Sequence, residues 1–320
     1  MSSAIQPRPK WTRLPVARAA LRRWSGFSGA KLRHITFGEN TTWKIVNKKG
    51  AFALRIYRPG RWTDEQISVE HSLMSALGKD YGVYAPCYGV DNETLQLVPG
   101  TNLRAALYPW VPGRLFLKQP KAKRVRLLGH YIASLHNHLA RKSLRDDIRS
   151  WDIASLIEQP MAVAKNQWTK ELPGTPFPVE LATWANECQQ AWKKLAPKSN
   201  LLHADLHMGN IKWSQQGLSC IDFDDCGWAP LPYDLAVCAQ GCWGMREPRV
   251  IEEMVKAYNE FAKDKTTIEA VKLFIVIRNF WSLGWVSERP ELYKAGELGK
   301  TLQRIANTID VLVKRQWLVK

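Results

Sequence analysis

The chain has 320 residues, of which 45% are hydrophobic and 23% charged, with 46 Lys and Arg against 29 Asp and Glu for a formal net charge of +17. This length and apolar content suit one large domain or two modest ones with a sizeable core, and they exclude a disordered chain. The positive balance alone points to an anionic partner, whether nucleic acid, a membrane surface or phosphates. Its distribution narrows that. Residues 1–34 hold eight basic residues and no acid, residues 114–149 hold ten against Asp146 and Asp147, and the remainder is nearly neutral. Two basic patches on an ordinary body disfavour a nucleic-acid coat. Apolar runs such as Leu273–Ile277 fall far short of the roughly 20 residues a membrane-spanning helix needs. Arg18, Arg22 and Arg23 break any secretory apolar region. The acid-free start also suits an organelle transit segment, but the favoured expectation is a short amphipathic helix over Leu14–Trp24 packed on the body. The six cysteines form no C-x-x-C pair, which fits free thiols in a reducing cytoplasm.

Along the chain, strands come first. Leu32–Gly38, Thr41–Val46 and Ala51–Tyr57 are short and rich in β-branched and aromatic residues, separated by turn-forming Gly-Glu-Asn and Asn-Lys-Lys-Gly. Pro59-Gly60 stops the third. Thr63 with Gln66 three residues on reads as a capping box opening a helix whose apolar face is Ile67, Leu73, Met74 and Leu77. Ala85–Val90 and Leu103–Tyr108 read as further strands, and Pro109-Trp110-Val111-Pro112-Gly113 as a stiff hinge. The period then turns helical: Val125–Leu139, about Glu180–Leu195, Ile268–Val286 and Leu292–Lys314. The expected class is α+β, with a sheet-rich lobe over 32–108 after a basic extension 1–31, a hinge 109–113 and a helical lobe over 114–320. A cleft between lobes is a usual ligand site.

Residues 199–223 interrupt the helical lobe with a loop, short strand, turn and short strand, and they carry the chemistry. His203-Ala204-Asp205-Leu206-His207-Met208-Gly209-Asn210 precedes a hairpin over 211–221 and then Asp222-Phe223-Asp224-Asp225. Phosphoryl transfer calls for these residue types at this spacing: one carboxylate to take the proton of the attacking hydroxyl, and an amide with a second carboxylate to hold Mg²⁺ against nucleotide phosphates. A short hairpin lets the three converge. A zinc site on the H-x-D-x-H of His203, Asp205 and His207 is the rival reading. No further His or Cys follows at finger-like spacing, and Cys220 and Cys226 do not make a knuckle. A third reading has these polar side chains satisfying loop backbone.

His203–Asn210, Ile221–Asp225 and Pro232-Tyr233-Asp234-Leu235-Ala236 resemble the aminoglycoside phosphotransferase and choline kinase family. Within it, D-F-D-D-x-G with Y-D-L-A is similar to the homoserine-kinase-like and bacterial stress-response-kinase branch. The likeness covers about residues 32–285 and implies a protein-kinase-like two-lobe fold with a small antiparallel-sheet N-lobe and a larger helical C-lobe. It implies ATP, with GTP left open, and Mg²⁺ as cofactors. Carried over, Asp205 is the catalytic base, Asn210 and Asp222 hold the metal, and Asp224 is a further metal contact. Asp234 anchors the catalytic loop and His203 positions it. Arg55 stands where protein kinases carry a phosphate-binding Lys, with Glu70 as its salt-bridge partner. The turn Phe37–Thr41, with Asn40 and Thr41, covers the phosphates. Residues Leu107–Val111, with Tyr108 and Trp110, receive adenine, although Pro109 limits what the hinge donates.

Only twelve positions separate Asp222 from Asp234, and no A-P-E follows, so a small-molecule hydroxyl is the expected acceptor instead of a docked peptide. Protein Ser/Thr phosphorylation of the stress-response type is the alternative, and a non-catalytic nucleotide- or anion-binding protein is the third reading. The basic block at 114–149 disfavours a polycationic aminoglycoside and suits an acidic or neutral amino acid, sugar or phosphorylated metabolite. Arg246, Arg249 and Arg278 are candidates for binding a carboxylate on the acceptor side. Trp228, Trp243, Trp281 and Trp285 are candidates for a stacking wall, against the plainer role of core packing.

Overall fold

A computed structural model describes residues 9–116, 122–140, 148–240 and 248–315. The chain opens with helix α1 (Leu14–Leu21), followed by strands β1 (Lys31–Phe37), β2 (Thr41–Asn47) and β3 (Gly50–Ile56). Helix α2 (Asp64–Leu77) starts on the expected capping box: Thr63 accepts from the Gln66 backbone while Gln66 accepts from the Thr63 N–H. Strands β4 (Gln96–Leu97) and β5 (Arg104–Pro109) complete an antiparallel five-stranded sheet in the order β1-β2-β3-β5-β4.

The expected strand at Ala85–Val90 is not one. Pro86 has no N–H to give, and the segment touches the sheet through a single bond from the Cys87 N–H to the Leu107 carbonyl at 2.7 Å. The short β4 takes the edge instead. The N-terminal helix does pack on the body: Ala17, Ala20, Leu21, Trp24 and Phe27 are buried with Ile45, Leu54, Ile56, Val98 and Leu107 in a second core on the outer face of the sheet.

After β5 the chain enters β6 (Arg114–Leu115) through Gly113, whose backbone φ of +95° and close approach to the Trp213 carbonyl admit no side chain. The helical lobe holds α3 (Ala122–Leu139), α4 (Gln159–Glu171, preceded by one π turn over Ala154–Glu158), α5 (Glu180–Leu195), α6 (Tyr233–Gln240), α7 (Pro248–Phe261), α8 (Ile268–Ser287) and α9 (Glu297–Lys314). Among these, α4 and α7 are absent from the spans expected above, although Ile251, Met254, Val255 and Tyr258 give α7 a clear helical period. The expected Leu292–Lys314 helix breaks at Gly296, in the left-handed region at φ +75°, so only its 297–314 part forms. Helix α8 is apolar nearly all round and is buried by α4, α5, α6 and α9. Strands β7 (Ser199–Leu202) and β10 (Gly227–Pro230) pair with each other, and β8 (Ile211–Ser214) and β9 (Gly217–Cys220) form the expected hairpin with β6 along its edge. Among the described residues no helix is long and apolar enough to cross a membrane.

Inside the N-lobe the buried His71 on α2 bonds the hydroxyls of Tyr57 (2.9 Å) and Tyr108 (3.1 Å) and that of Thr94 (2.8 Å), tying the helix to the sheet. Burial, with help from nearby Arg55, lowers this histidine from 6.5 to about 3. The unfolded chain therefore binds a proton here below pH 6.5 that the folded chain refuses until about pH 3, so stability from this site is intact above 6.5 and is lost as pH falls through that window. A His71→Gln variant should show a flatter loss of urea resistance than wild type between about pH 6 and pH 4, by up to roughly 1.4 kcal/mol per pH unit. Equal slopes for the two proteins would refute this assignment.

Candidate active site

The cleft between sheet and helical lobe encloses about 420 Å³, and Arg55, Asn40, Asp205, Asn210 and Asp222 all line it. Register explains the first. Arg55 sits on β3 opposite Thr42 and Ala106, so its side chain emerges on the cleft face of the central strand. Its guanidinium forks, giving Nη1 to Glu70 on α2 at 3.3 Å and Nη2 to Asp222 at 2.7 Å. Glu70 is fully buried, and burial pushes its carboxyl up to about 8 against the pull of Arg55, with Asp224 and Asp222 adding repulsion.

The loop after β7 is held from below by Asp234, at the start of α6. That carboxylate accepts from the backbone N–H of His203 (3.1 Å) and of Ala204 (2.8 Å), and its Oδ2 also meets His136 Nε2 at 3.1 Å. Ala204 takes a left-handed conformation at φ +62° in consequence of this tight binding. His203 is wedged between the two arms of the site: Nε2 donates to the Ile221 carbonyl at 3.1 Å and Nδ1 accepts from the Asp205 N–H at 3.4 Å. Burial lowers its pKa, so the neutral ring with its proton on Nε2 satisfies both bonds.

Asp205 has one oxygen on Arg278 Nη2 at 2.5 Å and the other near Asn210 Nδ2 at 3.2 Å. Burial raises it to about 8, opposed by Arg278 and reinforced by Asp225 and Asp222. Asn210 Nδ2 also donates to the Asp205 carbonyl at 2.9 Å, which leaves the amide oxygen for a cation. Asp222 stands after the hairpin at φ +70°, a strained conformation for an Asp, with 43% of its side chain accessible in the cleft. Among the described residues no group of three or more His, Cys, Asp and Glu is gathered as a metal cage. Of the H-x-D-x-H side chains, His207 Nε2 lies 3.6 Å from Asp205 Oδ2, but its Nδ1 accepts from the Gly209 N–H at 2.9 Å, and Asp205 and His203 are engaged as above. Asp222 and Asn210 both line the cleft, and their carboxylate and amide oxygens are hard donors. They fit Mg²⁺, which takes one or two protein oxygens and completes its shell with phosphate and water.

Several expected residues lie elsewhere. Asp224 is buried against Arg61 (3.3 Å) and Arg55 (3.9 Å), and Asp225, one residue on, lines the cleft. Thr41 is fully buried and bonds the Thr36 carbonyl, because alternation along β2 turns it inward and gives the cleft Thr42. Tyr108 is spent in the network with Tyr57 and His71, and the Trp110 ring carries Lys44 at 4.3 Å. The Val111 carbonyl, expected to face adenine, accepts from Lys212 at 2.5 Å. Arg278 binds Asp205 and Tyr233 instead of a free carboxylate site, and Arg249 is exposed on α7. Trp281 and Trp285 line the cleft, and Trp228 is half-buried on β10. Arg246 and Trp243 lie outside the described residues. Sequence reasoning misses Arg61, which pairs with Asp224, with Asp225 at 2.6 Å and with Glu39 of the expected covering turn, and no local motif marks it.

Residues 37–272 match the sequence model of the Phosphotransferase enzyme family, named APH. The chain belongs to that family. It is therefore a kinase-type phosphotransferase, with the protein-kinase-like fold that its lobes display. Stress response kinase A of Escherichia coli (strain K12) is 27% identical over 267 residues, covering 78% of this chain and 75% of that protein. The Salmonella typhimurium relative, 27% identical over 260 residues with the same coverage, is named a serine/threonine protein kinase, RdoA. Among solved structures, the microcompartment-associated aminopropanol kinase superposes with a TM-score of 0.80 at 20% identity, covering 96% of this chain and 99% of that one. Plasmodium vivax ethanolamine kinase gives 0.66 at 15% identity, covering 92% and 85%.

The phosphotransferase loop depends on Asp234. Its replacement by Ala leaves two buried N–H groups and His136 without their acceptor, so urea unfolding of Asp234→Ala should show a loss of roughly 3–5 kcal/mol. A loss below about 1 kcal/mol would show that the loop is held by something else.

Proposed function

We propose that the protein is an ATP- and Mg²⁺-dependent kinase that transfers the γ-phosphoryl group to a hydroxyl of a small molecule. The observation that carries this reading is the convergence of Asp205, Asn210, Asp222 and Arg55 on one cleft from separate stretches of chain. Asp205 takes the hydroxyl proton as the acceptor oxygen bonds to the γ-phosphorus and the bond to the β,γ-bridging oxygen breaks, releasing ADP. Arg278 holds Asp205 in place and, through Tyr233, fixes the angle of the carboxylate. Arg55 offsets phosphate charge from the β3 side, and a guanidinium does this with a wider, forked geometry than an ammonium would. Asn210 and Asp222 would hold Mg²⁺, which when bound screens the phosphate oxygens. Asn40 fixes the covering turn by accepting from the Arg58 N–H at 3.0 Å.

A small acceptor is favoured by the short Asp222–Asp234 segment and by a cavity of about 440 Å³ that adjoins the cleft at Trp281 and Trp285. Two solved relatives are named for amino alcohols, which supports a hydroxyl acceptor of that size. Sequence likeness to stress response kinase A supports the second reading, phosphorylation of protein Ser or Thr. Asp205→Ala should lower ADP release by about a hundredfold or more, on the order of what a general base supplies, while AMP-PNP binding is kept. Full activity in that variant would overturn the assignment. With γ-³²P ATP and a lysate cleared of metabolites, label on protein would favour the second reading, and turnover only with small hydroxyl compounds the first.

A further inference from the structure

The turn between β1 and β2 lines the cleft with Gly38, Glu39 and Asn40. Inside the turn the Gly38 N–H donates to the Asn40 carbonyl at 3.0 Å, and three arginines from outside it supply the further hold. Arg58 and Arg61 come from the segment between β3 and α2, and Arg289 lies just past α8 in the other lobe. Arg58 gives Nη2 to the Gly38 carbonyl at 3.0 Å and Nε to the Glu39 carbonyl at 3.3 Å. The Glu39 carboxylate meets Arg61 and, across the cleft, Arg289, with Arg58 Nε at 3.8 Å. A second strap lies beside the first, since Arg58 Nη2 also bonds Glu291 at 3.0 Å, two residues past Arg289.

Three guanidinium groups that share one carboxylate also repel one another. Burial, followed by repulsion from Arg61, lowers the pKa of Arg289. The set is largely withdrawn from water, the Glu39 side chain being 17% exposed and those of Arg61 and Arg289 11% each. Salt screens such pairs less than surface ones, and taking away the shared acid leaves crowded positive charge behind. Glu39 is thus what lets the turn lie against the helical lobe. Arg149, beside the neighbouring cavity, is outside this set: it lies 3.6 Å over the Trp62 ring and meets no carboxylate among the described residues.

We propose that Glu39 is a positioning residue for phosphoryl transfer. It latches the turn that covers the phosphates to the helical lobe, and breaking its contact with Arg289 is the opening through which nucleotide reaches and leaves the cleft. Gly38 and Asn40 line the cleft beside it, so the place where its carboxylate is held decides how close the turn comes to the phosphates. The proposal rests on the kinase reading for the nucleotide and on the ion pairs alone for the latch.

The test is stopped-flow binding and release of AMP-PNP carrying an N-methylanthraniloyl label, with Mg²⁺ and the full chain. Glu39→Gln keeps the size of the side chain and removes its charge. It should speed release about tenfold and association by less, as the loss of one coupled pair predicts. Glu39→Asp, which keeps the charge, should recover part of the wild-type release rate. Arg289→Gln should also speed release, and the double variant should be no faster than Glu39→Gln, because both changes break one contact. Release unchanged in Glu39→Gln, or accelerations that multiply in the double variant, overturns the proposal. If Glu39→Gln does not fold, Arg289→Gln carries the same expectation and the same refutation. A wild-type chain that binds no AMP-PNP would defeat the kinase reading. The latch is then judged by urea unfolding, where the losses from Glu39→Gln and Arg289→Gln must fall short of adding, and additive losses refute it.

Discussion

The fork of Arg55 is the contact on which the catalytic geometry turns. One guanidinium nitrogen holds Glu70 on α2 and another holds Asp222, 167 positions further along the chain in the other lobe. A guanidinium stays charged at any ordinary pH, and withdrawing it from water is tolerable only with acceptors in place. The same fork that stabilises Arg55 thus draws the sheet, helix α2 and the turn that carries Asp222 together. Burial pushes Glu70 up to about 8, and Arg55 is the strongest pull against it.

The rest of the cleft repeats this logic. Arg278 pairs with Asp205, and Arg61 is shared by Asp224 and Asp225, so each of these carboxylates meets an arginine. Below them Asp234 answers two backbone donors and His136, and this sets the loop from which Asp205 projects.

The overall charge of +17 does not act through the catalytic set. Much of the N-terminal block belongs to α1 and its flanks, which bury Ala17, Ala20 and Leu21 on the sheet and leave the arginines outward; Arg23 among them pairs with Asp91 at 2.5 Å. In the second block, Arg126 is matched by Glu253 and Glu260 on α7. Positive residues that look surplus in sequence are in part a face for acids supplied elsewhere.

Local chemistry made much of this protein readable in one dimension. Alternation and turn residues set β1 to β3, the Thr63–Gln66 box set the start of α2, and the Asp205–Asn210–Asp222 spacing set the phosphotransferase loop, because each depends on neighbours within a few residues or one hairpin. Packing over long range decided what remained. Pro86 gave up the sheet edge to Gln96–Leu97, β-strand alternation exchanged Thr41 for Thr42, and α8 brought Arg278 against Asp205 from 73 positions away. Arg61 and Arg149 carry no motif. Their meaning lies in which charges the fold leaves paired and which it leaves open, and only the tertiary structure fixes that.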